Sequence, residues 1–187
     1  MKSSRIKTST VLASFLLAAC LSMRAEVKLP AIFSDGMVMQ QQTNANLWGT
    51  ATPNKKVTVT TGWNGKQYAV TADKNGSWKL SVSTPEAGGP YTITFDDGTP
   101  KTLNNILIGE LWLCSGQSNM EMPMKGFKNQ PVENANMDIL RSKNPHIRLF
   151  TVKRTSTITP QNDVVGSWKE AAPVSVRDFS ATAYYFG

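Results

Sequence analysis

Ser118 is the residue whose type and setting point most directly to chemistry. It lies in the run GELWLCSGQSNMEMPM, residues 109–124. Leu111, Trp112, Leu113 and Cys114 form a short continuous apolar stretch, the pattern of a central parallel strand covered on both faces. Gly116 permits a tight turn after it, and Ser118 then opens a single turn of helix. A hydroxyl between the carboxyl end of a strand and the amino end of a helix faces unpaired N–H groups that favour a developing negative charge. Serine nucleophiles of acyl transfer need that setting. The same residues support a plainer role, because Ser118 and Glu121 have the spacing of a capping box, a common helix start. Pro123 cuts any such helix short by removing an interior hydrogen bond. Both roles for Ser118 stand on local sequence.

Other reactive side chains offer less. His146 is the single histidine of 187 residues, and it falls between Pro145 and a strand pattern, the place of a surface or strand-end histidine. Cys114 sits inside the apolar run, where a free thiol behaves as a small hydrophobe. Met120, Met122 and Met124 have the character of core filling more than of an acyl pocket. No His, Cys or carboxylate group has metal-ligand spacing and no glycine loop fits a phosphate, so neither metal nor cofactor is expected.

Several elements must position Ser118. From Glu26 to Asn105 apolar residues alternate with polar ones: Val57 with Val59, Tyr68 with Val70, Trp78 with Leu80 and Val82, Tyr91 with Ile93 and Phe95. Asn64-Gly65, Asn75-Gly76 and Asp97-Gly98 supply the positive-φ residues of tight hairpins. Residues 26–105 are therefore expected to form an antiparallel β-sandwich. Trp48 and Trp63 suit its core better than a sugar-stacking surface. Beyond it the period changes. A helix is expected over residues 132–143, with Pro131 at its start and Asn144-Pro145 at its stop, then a strand over 147–152. Strand, helix, strand is the βαβ unit of a flavodoxin-like α/β domain, here residues 106–187. A further helix is expected near Ser175, where Asp178 completes a capping box and Val176, Phe179, Ala183 and Phe186 share a face.

The formal charge of +7 invites a nucleic-acid reading, but Lys2, Arg5, Lys7 and Arg24 lie in a leader without acids. Without residues 1–25 the charge falls to +3, with no basic run, so nucleic acid is not expected as a partner. That leader has a basic start and an apolar stretch, Val11 to Ala19, too short for a stable membrane span. It is expected to be an export signal, giving a secreted or periplasmic protein. Cleavage near Ala25 is preferred to the lipobox-like Leu17-Ala18-Ala19-Cys20, which would make a lipoprotein anchored through Cys20.

Taken together, VKLPAIFSDGMVMQQ, GELWLCSGQSNMEMPM, PVENANMDIL with NPHIRLF, DVVGSWKEAAP and FSATAYYFG make the chain resemble the sialate O-acetylesterases, a branch of the SGNH hydrolases. The resemblance implies that Ser118 is the nucleophile attacking an acetyl ester on a sugar, with Gly116, Gln117 and Asn119 supporting its turn and the Ser118 N–H serving the oxyanion hole. It also implies an Asp and a His partner, and further oxyanion donors, that lie beyond this sequence. A serine without its base is a weak nucleophile, so an amino-terminal fragment, itself inactive, is expected. The expected substrate is O-acetylated sialic acid or a related acetylated glycan, with an acetylxylan esterase as the alternative within the class. A non-catalytic, exported glycan-binding or structural protein is the reading from another class.

Overall fold

The computed structural model describes residues 26–187 as a mixed α/β structure, and the expected leader with Cys20 lies outside the described residues. Seven strands come first: β1 (Val38–Gln40), β2 (Asn44–Thr50), β3 (Lys56–Thr61), β4 (Gln67–Thr71), β5 (Ser77–Ser83), β6 (Gly88–Asp96) and β7 (Lys101–Gly109). Their alternation works as the sequence predicts. On β3, Val57 and Val59 turn inward, on β5 Trp78 and Val82, and on β6 Ile93 and Phe95. These residues meet Leu47, Met37, Met39, Leu103, Ile106 and Ile108 in one core.

Five strands form a sheet in the order β1-β7-β6-β3-β4, while β2 and β5 pair separately. All ladders here are antiparallel except β1 with β7, which runs parallel from Val38 opposite Leu107. Asn64-Gly65 and Asp97-Gly98 close the expected hairpins β3-β4 and β6-β7. Asn75-Gly76 does not. It turns at Gly76, but β4 and β5 belong to different sheets, so this turn carries the chain from one sheet to the other. A Cβ at Gly76 would collide with the Ala51 carbonyl, which requires glycine there. Trp48 and Trp63 are half-buried, edge-on to Phe33 and Tyr91, and their indole N–H groups donate to the carbonyls of Asn162 and Ser83.

The rear region departs from expectation in several places. Residues 111–114 are not a strand: β7 ends at Gly109, and Leu113 is 94% exposed and Trp112 57%. A strand apolar on both faces needs a neighbour at each edge and a layer over each face. Among the described residues this run has neither, so Cys114 is half-buried in irregular chain and not held in a core. The helices are α1 (Ser118–Glu121), α2 (Ala135–Arg141), α3 (Pro173–Val176) and α4 (Ala181–Phe186), with β8 (Asn144–Phe150) and β9 (Trp168–Ala171) between α2 and α3. α2 starts three residues later than expected because Asn134 takes a left-handed conformation, φ 58°, that breaks the helical path. β8 pairs antiparallel with β9, so no parallel βαβ unit forms among the described residues. The helix expected at Ser175 is two short ones. Ser175 Oγ accepts from the Ala172 N–H, whereas Asp178 pairs with Lys125 at 2.6 Å in place of closing a box. Val176 and Ala183 are buried, but Phe186 is exposed.

A second, smaller core holds this region: Met124, Ala135, Leu149, Ala171, Val176 and Ala181. Trp168 joins it to the first by packing against the front core and donating its indole N–H to the Ile32 carbonyl at 2.8 Å.

Candidate functional site

Ser118 is exposed and opens α1, as the sequence predicts. The capping box does not form. Gln117 is the N-cap residue, no side chain caps the helix, and the Ser118 hydroxyl makes no hydrogen bond among the described residues. The Gln117 carbonyl instead accepts from the N–H groups of Met120 and Glu121. Glu121, the other half of the box, turns to Arg154, whose Nη1 lies 3.0 Å from Oε1 and donates to Oε2 at 3.1 Å. The helix then stops at Glu121, two residues before Pro123.

Gly116 is not in the positive-φ region, and a Cβ there would meet Met120 at ordinary van der Waals distance, 3.4 Å. The turn therefore does not depend on glycine's conformational freedom, contrary to the sequence argument. Asn119 contributes its carbonyl, which accepts from Thr182 Oγ1 at 3.0 Å.

That bond belongs to a clamp from the far end of the chain. Ser180 Oγ donates to Met120 Sδ at 3.4 Å, Ala181 N–H to the Met122 carbonyl at 2.8 Å, and Met124 N–H to the Phe179 carbonyl at 2.9 Å. Lys125 holds Asp178, and this contact, together with weaker positive neighbours, keeps the Asp178 carboxyl below the usual carboxylate range. Met124 is fully buried and Met120 and Met122 half-buried, so the three methionines help seat the turn. Sequence reasoning missed Ser180 and Thr182. No local pattern marks them, because their partners are a sulfur and a backbone carbonyl some sixty residues earlier.

A serine needs a proton acceptor to attack. His146 is exposed on β8, and no bond joins it to Ser118. Among the described residues no group of His, Cys, Asp and Glu could hold a metal ion.

A second polar cluster lies where β7 meets the β8-β9 pair. The Arg148 side chain is only 3% exposed; its Nη2 donates to Asn105 Oδ1 at 2.9 Å, and Nη1 lies 2.6 Å from Glu170 Oε1. The alignment is poor, and Nε and Nη1 make no hydrogen bond. The guanidinium holds the Glu170 carboxyl below its usual range. A crevice of about 190 Å³ opens beside Asp35, Trp168 and Lys169. It includes no residue of the Ser118 turn.

This architecture resembles part of a carbohydrate acetylesterase. The crystal structure of such an enzyme from Xanthomonas citri superposes with a TM-score of 0.78 at 31% identity, over 86% of this chain and 36% of that one. In sequence the chain is homologous to the sialate O-acetylesterases, as its motifs indicated. The mouse protein is 33% identical over 127 residues, 62% of this chain and 23% of that protein. The rat protein is 30% identical over 147 residues, 72% and 26%, and the orangutan (Pongo abelii) protein 28% over 148 residues, 74% and 28%. The matches thus span about a quarter of the length of these curated relatives. No family model matches the chain.

Proposed function

We propose that this chain carries the nucleophile of a serine carbohydrate O-acetylesterase, with O-acetylated sialic acid as substrate, and that residues 106–187 form the opening part of its SGNH-type domain. The observation that carries this reading is the Ser118 hydroxyl, exposed at the head of a braced turn and free of the capping bond that would give it a structural purpose. Ser118 Oγ attacks the acetyl carbonyl and loses its proton to a base. The sugar oxygen leaves with a proton, and water then releases acetate from the acetyl-enzyme. The Ser118 N–H is one donor to the oxyanion, and Gly116, Gln117 and Asn119 hold the turn. The protein works outside the cytoplasm, exported through residues 1–25.

No base is bonded to Ser118 among the described residues, so the 187-residue chain should release p-nitrophenol from p-nitrophenyl acetate no faster than its Ser118→Ala variant. Added imidazole, acting as an external base, should then acetylate Ser118 selectively, read by peptide mass spectrometry. Acetyl groups scattered over other serines, with Ser118 unmodified, would sink the nucleophile assignment.

A further inference from the structure

Arg154 is tied to the Ser118 turn by one corner of its guanidinium. Only Nη1 is engaged, by both oxygens of Glu121, and the side chain is 85% exposed. Nε and Nη2 make no hydrogen bond among the described residues. Those two groups form a flat edge whose parallel N–H bonds match the two oxygens of a carboxylate. Glu121 engages one corner of the guanidinium and leaves that edge open.

The position matters as much as the geometry. Glu121 follows Ser118 by three residues in a single helical turn, so their side chains are neighbours on one face, roughly 5–6 Å apart at Cβ. The guanidinium, bonded to Glu121, therefore belongs to the same helical turn as the serine. Lys125 and Arg148 are engaged, the first with Asp178 and the second with Asn105 and Glu170. A neutral acetylated sugar has nothing to offer the free edge. A sugar acid places a carboxylate there while its ester reaches Ser118.

We infer that Arg154 is a specificity-determining residue, which selects acetylated sugar acids over neutral acetylated sugars by pairing its Nε/Nη2 edge with the substrate carboxylate. The inference deepens the esterase reading and rests on Ser118 being its nucleophile.

Titrating the full chain with N-acetylneuraminic acid and with its methyl ester, which removes only the charge, provides the test. Calorimetry or NMR shift changes should show the acid binding about tenfold more tightly than the ester, as one charge-assisted contact warrants. Arg154→Gln should make the two equal. Glu121→Gln, which frees Nη1, should keep the preference and so shows that a disturbed turn is not the cause. Equal binding of acid and ester to the unaltered chain, no binding of either, or a preference surviving in Arg154→Gln would overturn the inference. Imidazole-driven acetylation of Ser118 by neutral p-nitrophenyl acetate, measured on the unaltered chain, reports on the nucleophile separately. Acetylation without acid preference removes the Arg154 role alone, whereas acid preference without acetylation overturns its place in an esterase.

Discussion

The front strands and the chain around residues 111–117 are both rich in apolar residues, yet one buries them and the other shows them to solvent. Phe95 is fully buried between two sheets, whereas Leu113 stands 94% exposed. What differs is the availability of partners. Half-buried strands need cover on one face only, and β2 with β5 supply it to the larger sheet within sixty residues. An apolar run with no polar face needs cover on two, which no described element provides. Local hydrophobicity decides how much surface a segment must lose, and topology decides whether it can.

The sharpest way to break this comparison is to cut side chains on both sides of it. Phe95→Ala should cost about 3–5 kcal/mol and unfold a marginal domain, while Leu113→Ala should change stability by less than about 0.5 kcal/mol. Chemical denaturation of the two variants checks both; a comparable loss for Leu113 would mean that the run is covered in solution.

Two serines give a finer contrast. Ser180 Oγ accepts from the Ala183 N–H and caps α4, so Ser180→Ala should cost about 1 kcal/mol. Ser118 caps nothing, so Ser118→Ala should leave the melting temperature unchanged. A clear fall in Tm for Ser118→Ala would restore the structural reading of that residue.

The join between the regions responds to charge. Removing Arg148 as Arg148→Met takes away two buried donors that lack hydrogen bonds, whereas Glu170→Gln leaves the buried guanidinium without its nearest anion. Glu170→Gln should therefore lower Tm by more than Arg148→Met does, in parallel thermal melts.

The smallest effect lies within the rear region. Tyr185 donates to Asp138 Oδ2 at 2.6 Å, and this bond, with help from burial and the carboxylate charge, pushes the phenol up to about 12. A raised folded value means that the stabilisation is complete below the ordinary tyrosine range near 10 and is lost as pH rises from there through about 12. Tyr184 is raised too, by burial and then by the Asp138 charge, so absorbance at the phenolate band should show late-titrating tyrosines, the latest of which moves down in Asp138→Asn.

Much of the front region was legible because its information is local. The pairs Val57/Val59, Trp78/Val82 and Ile93/Phe95 announce both a strand and its inward face. Pairing order was not legible: nothing in the residues of Val38–Gln40 marks them as a parallel partner for β7. At the candidate site, Ser118 and Pro123 correctly bounded a single helical turn. The role of Glu121 was misread, since capping spacing is visible in sequence and an arginine thirty-three residues away is not. α2 failed to begin at Pro131 because the left-handed Asn134 overrode an otherwise favourable helix start.

The clamp on the Ser118 turn also sets an order of events during synthesis. Residues 118–124 leave the ribosome long before Phe179, Ser180 and Thr182, the groups that hold them. Until those residues emerge, the turn lacks its brace, and closing the contact means closing a loop of about sixty residues, slower than a local hairpin but only modestly costlier in entropy. The front strands can settle as they appear. The serine acquires its braced geometry only after residues 179–182 have folded back over the turn.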